Sequence, residues 1–365
     1  MTRLVLLMSL AGLLFTPNVP LAVAEELTAK DYVEYVKPFV GSWKLTIDRD
    51  GSVAEGTYRA RLARADACII ARISAPDLGS FQSIDGYDPM AKKWTVVAFG
   101  ADGRFMMQRV TMHDVQKGQH YAKGQSQNAE ITVHQPDGTI ITMTSKSTLD
   151  ETTEDRMVFI QSDVKLNGES VPGEKWTLER LPEEQRGPQA PPEYQVADSA
   201  ELTAHDYITF LKPFEGSWKT KVETEGEVLE GSVSARISPV GTCFVSQDEG
   251  AGSPASQAIH GYDPVTKKWT VASFDADGGF ALSRFEFVDV KKGQVVGKGV
   301  TANGADQSFK KDGTTTTTTS TLTITECSEN RIAYVLSNRK ENGAAKADLT
   351  FSMERQPDQG KRGRR

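Results

Sequence analysis

Gly86-Tyr87-Asp88-Pro89-Met90-Ala91-Lys92-Lys93-Trp94-Thr95-Val96 is rewritten further along the chain as Gly261-Tyr262-Asp263-Pro264-Val265-Thr266-Lys267-Lys268-Trp269-Thr270-Val271, and 261 − 86 = 175. The same offset carries Gly41-Ser42-Trp43-Lys44 onto Gly216-Ser217-Trp218-Lys219. It does not drift between Leu27/Leu202 and Glu179-Arg180/Glu354-Arg355. Each copy is therefore expected to be a complete folding unit, and a residue kept in both has passed an internal test. A propeller blade repeats every ~40–45 residues, so the long period excludes that architecture.

The repeat sets the domain boundaries at 25–181 and 200–356. Between them, 182–199 holds Pro182, Pro188, Pro191 and Pro192 among Glu, Gln and Gly, a composition that cannot bury a core and suits a semi-stiff spacer. Met1-Thr2-Arg3, an apolar run from Leu4 to Phe15 and Ala22-Val23-Ala24 have the pattern of a secretory signal peptide over 1–24, with cleavage near Ala24 and export to the periplasm or beyond. The apolar run is too short to span ~30 Å of hydrocarbon. Arg3 is the one charge in that segment, so its loss takes the net charge from −7 to −8. An acidic chain argues against a general affinity for nucleic acid. Lys361-Arg362-Gly363-Arg364-Arg365 opposes the trend, and 357–365 reads as a basic solvated tail.

Within each unit the pattern is mostly β. Trp43, Leu45 and Ile47 alternate with Lys44, Thr46 and Asp48, as in a half-buried strand. Ala54, Gly56, Tyr58, Ala60 and Leu62 alternate likewise, and Gly56 and Gly231 mark a bulge or bend. Asp102-Gly103, Lys117-Gly118, Asp137-Gly138 and Asn167-Gly168 all recur as turn signals in the second copy. The exception is the opening of each unit, where Thr28 and Thr203 cap short helices ended by Pro38 and Pro213. About eight to ten strands per unit, joined as successive hairpins, make an antiparallel meander whose closure into a barrel removes its edges. An immunoglobulin-like sandwich stays open as a competitor, without the paired cysteines such domains carry.

A short helix followed by Gly-x-Trp at the first strand resembles the entry of calycin barrels, the lipocalins and fatty-acid-binding proteins; Gly41, Trp43, Gly216 and Trp218 are the matching residues. The resemblance implies that the Trp closes one barrel end beneath a basic residue near the last strand, where Arg180 and Arg355 stand. The Tyr-Asp-Pro hairpin is similar to that of an uncharacterised bacterial family of calycin-like proteins. No repeated His near a C-terminal strand matches the heme-binding nitrobindin branch. The fold expectation is thus all-β: two tandem antiparallel calycin-like barrels, each preceded by a helix.

The internal test is hard on chemistry. His113, His120, His134, His205 and His260 face Val288, Val295, Phe309, Lys30 and Asp85 across the repeat, so none is kept. Asp88/Asp263 and Asp102/Asp277 stand in turns, where backbone capping is their expected role. No Ser/His/Asp or Cys/His set appears in both copies, so no catalytic residue, metal site or cofactor is assigned. Cys68 and Cys243 are repeat equivalents, and Cys327 aligns with Thr152. The two equivalents read as buried hydrophobes at interior positions, which side-by-side domains would keep apart.

Arg109 and Arg284 are kept outside the obvious framework. Phe105, Met107 and Arg109 share one strand face, as do Phe280, Leu282 and Arg284. If that face is the inner one, the arginines can fork onto a ligand carboxylate and the four apolar residues can line its pocket. Periodicity leaves open which side is inner, and a structural Arg beside Glu286 is the competing reading. The run Thr314–Thr319 reads as a strand able to offer a hydroxyl ladder, against the mixed Thr139–Thr144 of the first copy. Function then divides three ways. The leading expectation is non-catalytic binding of a small, partly apolar or carboxylate-bearing ligand in one or both barrels. The alternative is an interaction protein with side-chain-filled barrels; an enzyme is the least supported.

Overall fold

Thr28 and Thr203 begin both copies in the same way. Each accepts a hydrogen bond from the amide three residues on, and Asp31 or Asp206 reaches back to it in a reciprocal capping box. Helices α1 (Ala29–Val36) and α2 (Ala204–Leu211) follow, and each runs into a 3-10 turn holding Pro38 or Pro213. The structure is a computed structural model that describes residues 27–357 apart from residues 65, 77, 114, 183–184, 186–200 and 251. The expectations for 1–24, for most of 182–199 and for the tail beyond 357 lie outside the described residues.

After α1 come β1 (Gly41–Arg49), β2 (Ser52–Leu62), β3 (Cys68–Ala75), β4 (Gly79–Asp88), β5 (Lys93–Gly100), β6 (Phe105–Met112), β7 (Ser126–His134), β8 (Ile140–Thr152), β9 (Arg156–Leu166), the two-residue β10 (Glu169–Ser170) and β11 (Lys175–Arg180). Each strand from β1 to β9 pairs antiparallel with the next. β11 pairs with both β9 and β1, so ten strands close into a barrel. After α2 the second copy repeats this as β12 (Gly216–Thr224), β13 (Glu227–Ile237), β14 (Cys243–Gly250), β15 (Ser253–Asp263), β16 (Lys268–Asp275), β17 (Phe280–Phe287), β18 (Thr301–Phe309), β19 (Thr315–Cys327), β20 (Arg331–Glu341), β21 (Ala344–Ala345) and β22 (Leu349–Arg355), closed by β22 on β12. The protein is all-β, two closed antiparallel barrels in tandem with one short helix before each.

Helix and tryptophan together seal one end of each barrel. Val33, Tyr35 and Val36 of α1 pack into the core formed by Trp43, Trp94, Leu149 and Met157. Trp43 Nε1 donates to the Phe39 carbonyl at 2.9 Å, and the Arg180 guanidinium lies 4.1 Å from its ring centroid. Trp218 donates to the Phe214 carbonyl at 3.0 Å beneath Arg355, again 4.1 Å away. Gly41 and Gly216 sit at φ +141° and +134° with the arginine head against them, so a side chain there would meet the guanidinium.

The outer walls of β4–β6 and β15–β17 are packed against each other. Ile70, Ile84, Val97, Phe99 and Phe105 share one buried cluster with Val245, Ile259, Ala272, Phe274 and Phe280. The contact is reciprocal. A Cβ on Gly86 would fall 2.5 Å from the Phe274 ring, and a Cβ on Gly261 would collide with the Phe99 ring. The Gly of each Gly-Tyr-Asp-Pro motif is therefore a slot for the other barrel's phenylalanine. Cys68 and Cys243 both join this cluster as free thiols. They face the shared wall between the barrels, which corrects the reading of them as interior residues kept apart. Burial pushes the Cys243 thiol up to about 12, so it behaves as a small hydrophobe.

Candidate functional site

The inner phase of the barrel 1 strands is set by Trp43, Leu45 and Ile47, all fully buried. Continuing that phase around the wall brings Tyr58, Ile73, Val96, Met106, Ile131, Met143, Phe159 and Trp176 to one cavity of about 510 Å3. The sealed end lies at the α1 side. The cavity reaches the opposite rim, where Arg49, Leu78, Arg104 and Glu174 stand. Rim charges are paired: Arg49 Nε lies 2.6 Å from Glu174 Oε1, and Trp176 Nε1 donates to Glu174 Oε2 at 2.8 Å. Arg104 pairs with Asp102 and donates to the Leu78 carbonyl. A barrel of ten strands is wider than one of eight, which can just hold a small ligand.

Polar groups interrupt the apolar wall at Ser83, Asp85, Gln108, Gln127, Ser145 and Ser147. Asp85 is the exceptional one. It is 8% exposed, and its Oδ1 has no hydrogen-bond partner. Burial raises its carboxyl to about 7, and a hydrogen bond from Ser83 only partly opposes this. That hydrogen bond is the one influence opposing burial, so Asp85 is a carboxyl held poorly ionised in the wall of a largely apolar space.

Barrel 2 keeps the wall but not its chemistry. Ile73, Ile131, Val133, Ile141 and Met143 are replaced, at the same offset of 175, by Asp248, Asp306, Ser308, Thr316 and Thr318, and Asp85 by His260. Ser246 Oγ lies 2.6 Å from His260 Nε2. Asp306 accepts hydrogen bonds from Ser283 and, at 3.1 Å, from Ser308. Burial lowers His260 to about 4, so its ring is neutral. It raises Asp248 to about 6, against a hydrogen bond from Ser256. The threonine run splits by strand alternation, so that Thr316 and Thr318 share the inner phase of Leu322 and Ile324.

The residues proposed from sequence as a pocket lie elsewhere. Phe105, Phe280 and Leu282 belong to the cluster between the barrels, with Met107 packed against it. Arg109 is exposed, in register with Thr95 and Glu130. Arg284 is half-buried with its Nε lacking a hydrogen-bond partner, and Glu286 pairs with Lys268 at 3.5 Å rather than with Arg284. That strand face is the outer one; the inner one carries Met106, Gln108 and Val110. None of these six residues lines the cavity. Asp85 is not kept across the repeat, its partner being His260, so identity between the two copies does not mark it. The usable signal was a carboxylate in the inward phase of a strand, between Ser83 and Tyr87.

Among the described residues no group of three or more His, Cys, Asp or Glu is placed to hold a metal ion, and no helix is long and apolar enough to cross a membrane. No family model matches the chain, and no curated protein matches it. Among solved structures it is similar to a protein of unknown function of the DUF3598 family from Nostoc punctiforme. The match covers 89% of this chain and 98% of that one, at 8% identity and a TM-score of 0.22.

Proposed function

We propose that the chain is a non-catalytic binding protein whose first barrel takes a small, largely apolar molecule bearing a hydrogen-bond donor. The observation that carries this reading is the cavity of about 510 Å3 with the unpartnered Asp85 Oδ1 in its wall. Ligand pockets of ~300–1,000 Å3, mostly apolar with a few placed polar groups, are the common form of such sites. A buried acceptor without a partner costs about 1–3 kcal/mol, and a hydroxyl or ammonium on the ligand would remove that cost. A carboxylate would meet Asp85 as like charge against like. The cavity's own chemistry therefore favours a donor over the carboxylate-bearing ligand expected from sequence. Barrel 2, with Asp248 and Asp306 where the first has isoleucines, is unsuited to the same molecule. The signal-like pattern of residues 1–24 supports a site of action outside the cytosol.

The test is a titration of the protein with dodecylamine, dodecanol and dodecanoate, read by the fluorescence of tryptophans including Trp176 in the cavity wall. Saturable binding of the amine and alcohol at least ten-fold tighter than the acid is expected, with Met143→Trp, which fills the cavity, abolishing it. Equal binding of all three, or undiminished binding by a Met143→Trp protein of native circular dichroism, would refute the proposal.

A further inference from the structure

Docking of the outer walls leaves a second groove, outside both lumens. It encloses about 530 Å3 between β2 of the first barrel and β12–β15 of the second. Arg61 and Arg64 enter it from one side and Arg236 from the other. Arg61 and Arg236 are repeat equivalents (236 − 61 = 175), so the reciprocal packing that sets Gly86 on Phe274 and Gly261 on Phe99 also brings this pair to one place. None of the three arginines has an ion-pair partner among the described residues. The Arg61 guanidinium makes a long contact of 3.4 Å to the Leu62 carbonyl, its one side-chain hydrogen bond among the described residues.

Such convergence is costly. Burial holds Arg61 below the usual guanidinium range, and the neighbouring charges of Arg236 and Arg64 add to the effect. One acid, Glu215, lines the groove; its Oε1 accepts from the Ile237 amide at 3.2 Å, and among the described residues its carboxylate forms no ion pair with an arginine. The remaining wall offers Ser217, Ser234 and Gln247, small polar groups suited to an oxyanion's other oxygens. Positive charge continues along the same outer wall, where Arg72 is the register partner of Arg59. All this stands on a chain of net charge −7, so the cluster is local rather than a sample of a basic surface.

We propose that the inter-barrel groove is a binding site for a small oxyanion of two or more negative charges, held by Arg61 and Arg236 as a fork from the two barrels with Arg64 beside them. Planar guanidinium groups recognise phosphate and carboxylate oxygens in bidentate fashion. The site exists only where both barrels are present, because each supplies one of the paired arginines. It is separate from the cavity of the first barrel and does not depend on what that cavity holds.

Calorimetric titration of the full chain at low ionic strength tests it, with inorganic phosphate, pyrophosphate and citrate as separate probes. One saturable site is expected, tightest for the phosphate or the carboxylate source, whichever the groove takes, and weakened by added salt. Arg61→Gln and Arg236→Gln should each weaken it at least ten-fold, whereas Arg331→Gln, which does not line the groove and is paired with Glu326, should not. Arg61→Gln should also raise the melting temperature of the anion-free protein, because it removes one of three like charges. Absence of saturable binding by every probe overturns the proposal. So does binding that survives both groove substitutions, or an Arg61→Gln protein that melts no higher than the unaltered chain.

Discussion

Asp85→Asn should stabilise the protein at mildly alkaline pH and leave it almost unchanged in acid. The carboxyl titrates at 3.8 in an ordinary setting and at about 7 in the fold, because burial in the barrel 1 wall disfavours its ion. Below 3.8 the group is protonated in both states and contributes nothing. As pH rises from 3.8 towards 7, the unfolded chain releases the proton that the folded one keeps, so stability falls with pH. Above 7 both forms are ionised and the loss is complete. The interval is roughly three pH units, and at about 1.4 kcal/mol per unit the full cost is about 4 kcal/mol. Asparagine preserves the shape without the charge and should recover most of it. Urea denaturation followed by tryptophan fluorescence, at about pH 4 and about pH 8, measures the difference through the midpoint at constant slope. A gain confined to the higher pH supports the reasoning. An equal effect at both pH values, or none at the higher, would show that Asp85 is solvated in the fold and that the cavity is not the low-dielectric space described.

The interface makes a second prediction. Gly261→Ala should cost about 1–3 kcal/mol by overpacking against Phe99, and Phe99→Ala should relieve much of that cost in a double-mutant cycle, whereas additive losses would refute the contact. Arg355→Leu removes the cation–π contact over Trp218 and hydrogen bonds to the carbonyls of Glu329, Glu215 and Pro213. It should lower stability by about 3 kcal/mol, and a loss below about 1 kcal/mol would show that the tryptophan alone closes the barrel. His134 Nδ1 lies 2.6 Å from Asp263 Oδ1 across the interface. Burial of Asp263 works against its ion, yet hydrogen bonds from His134 and Thr266 and the His134 charge hold its carboxyl below the usual range. That stabilisation is present above the unfolded value of 3.8 and disappears as pH falls through the lowered folded one. His134→Phe, which copies Phe309 of the second repeat, should therefore weaken the chain most above about pH 4, and a loss independent of pH would count against the pairing.

Much of the architecture was legible because it rests on period and turn chemistry. Strand alternation at Trp43-Leu45-Ile47, the capping threonines and the repeated Asp-Gly and Asn-Gly turns each act over a few residues, so a linear reading captures them. What alternation does not carry is a sign. It groups Phe105, Met107 and Arg109 on one face without saying whether that face is lumen or outer wall. Two buried faces exist here, because the outer wall is covered by the other barrel, and both are apolar. The repeat test misled for a related reason. Identity between the copies marks only a site that both share, yet the lumens have diverged at Ile73/Asp248, Ile131/Asp306 and Asp85/His260, so a filter for identity discards the groups that give each lumen its character.

What the repeat conserves is the surface through which the two copies meet. Phe99 packs on Gly261 and Phe274 on Gly86. Gly103 approaches the Ala204 side chain of α2, while Gly278 approaches that of Ala29 in α1. In each pair, adding 175 to one residue and subtracting it from the other exchanges the two contacts. This is the pattern of an isologous interface, in which residue i meets j and j meets i, carried here inside one chain. Among the described residues it is the second barrel that covers Ile70, Ile84, Val97, Phe99 and Phe105, and fully burying such a side chain is worth about 1.5–3 kcal/mol. Residues 27–181 made alone should therefore associate into dimers through this face, the second copy standing in for the missing barrel. Sedimentation velocity over a micromolar concentration range reads the outcome, and Phe99→Asp should return the species to monomer. A wild-type fragment that stays folded and monomeric would mean that the face is stable in water, and that the reciprocal contacts are a consequence of tethering rather than its reason.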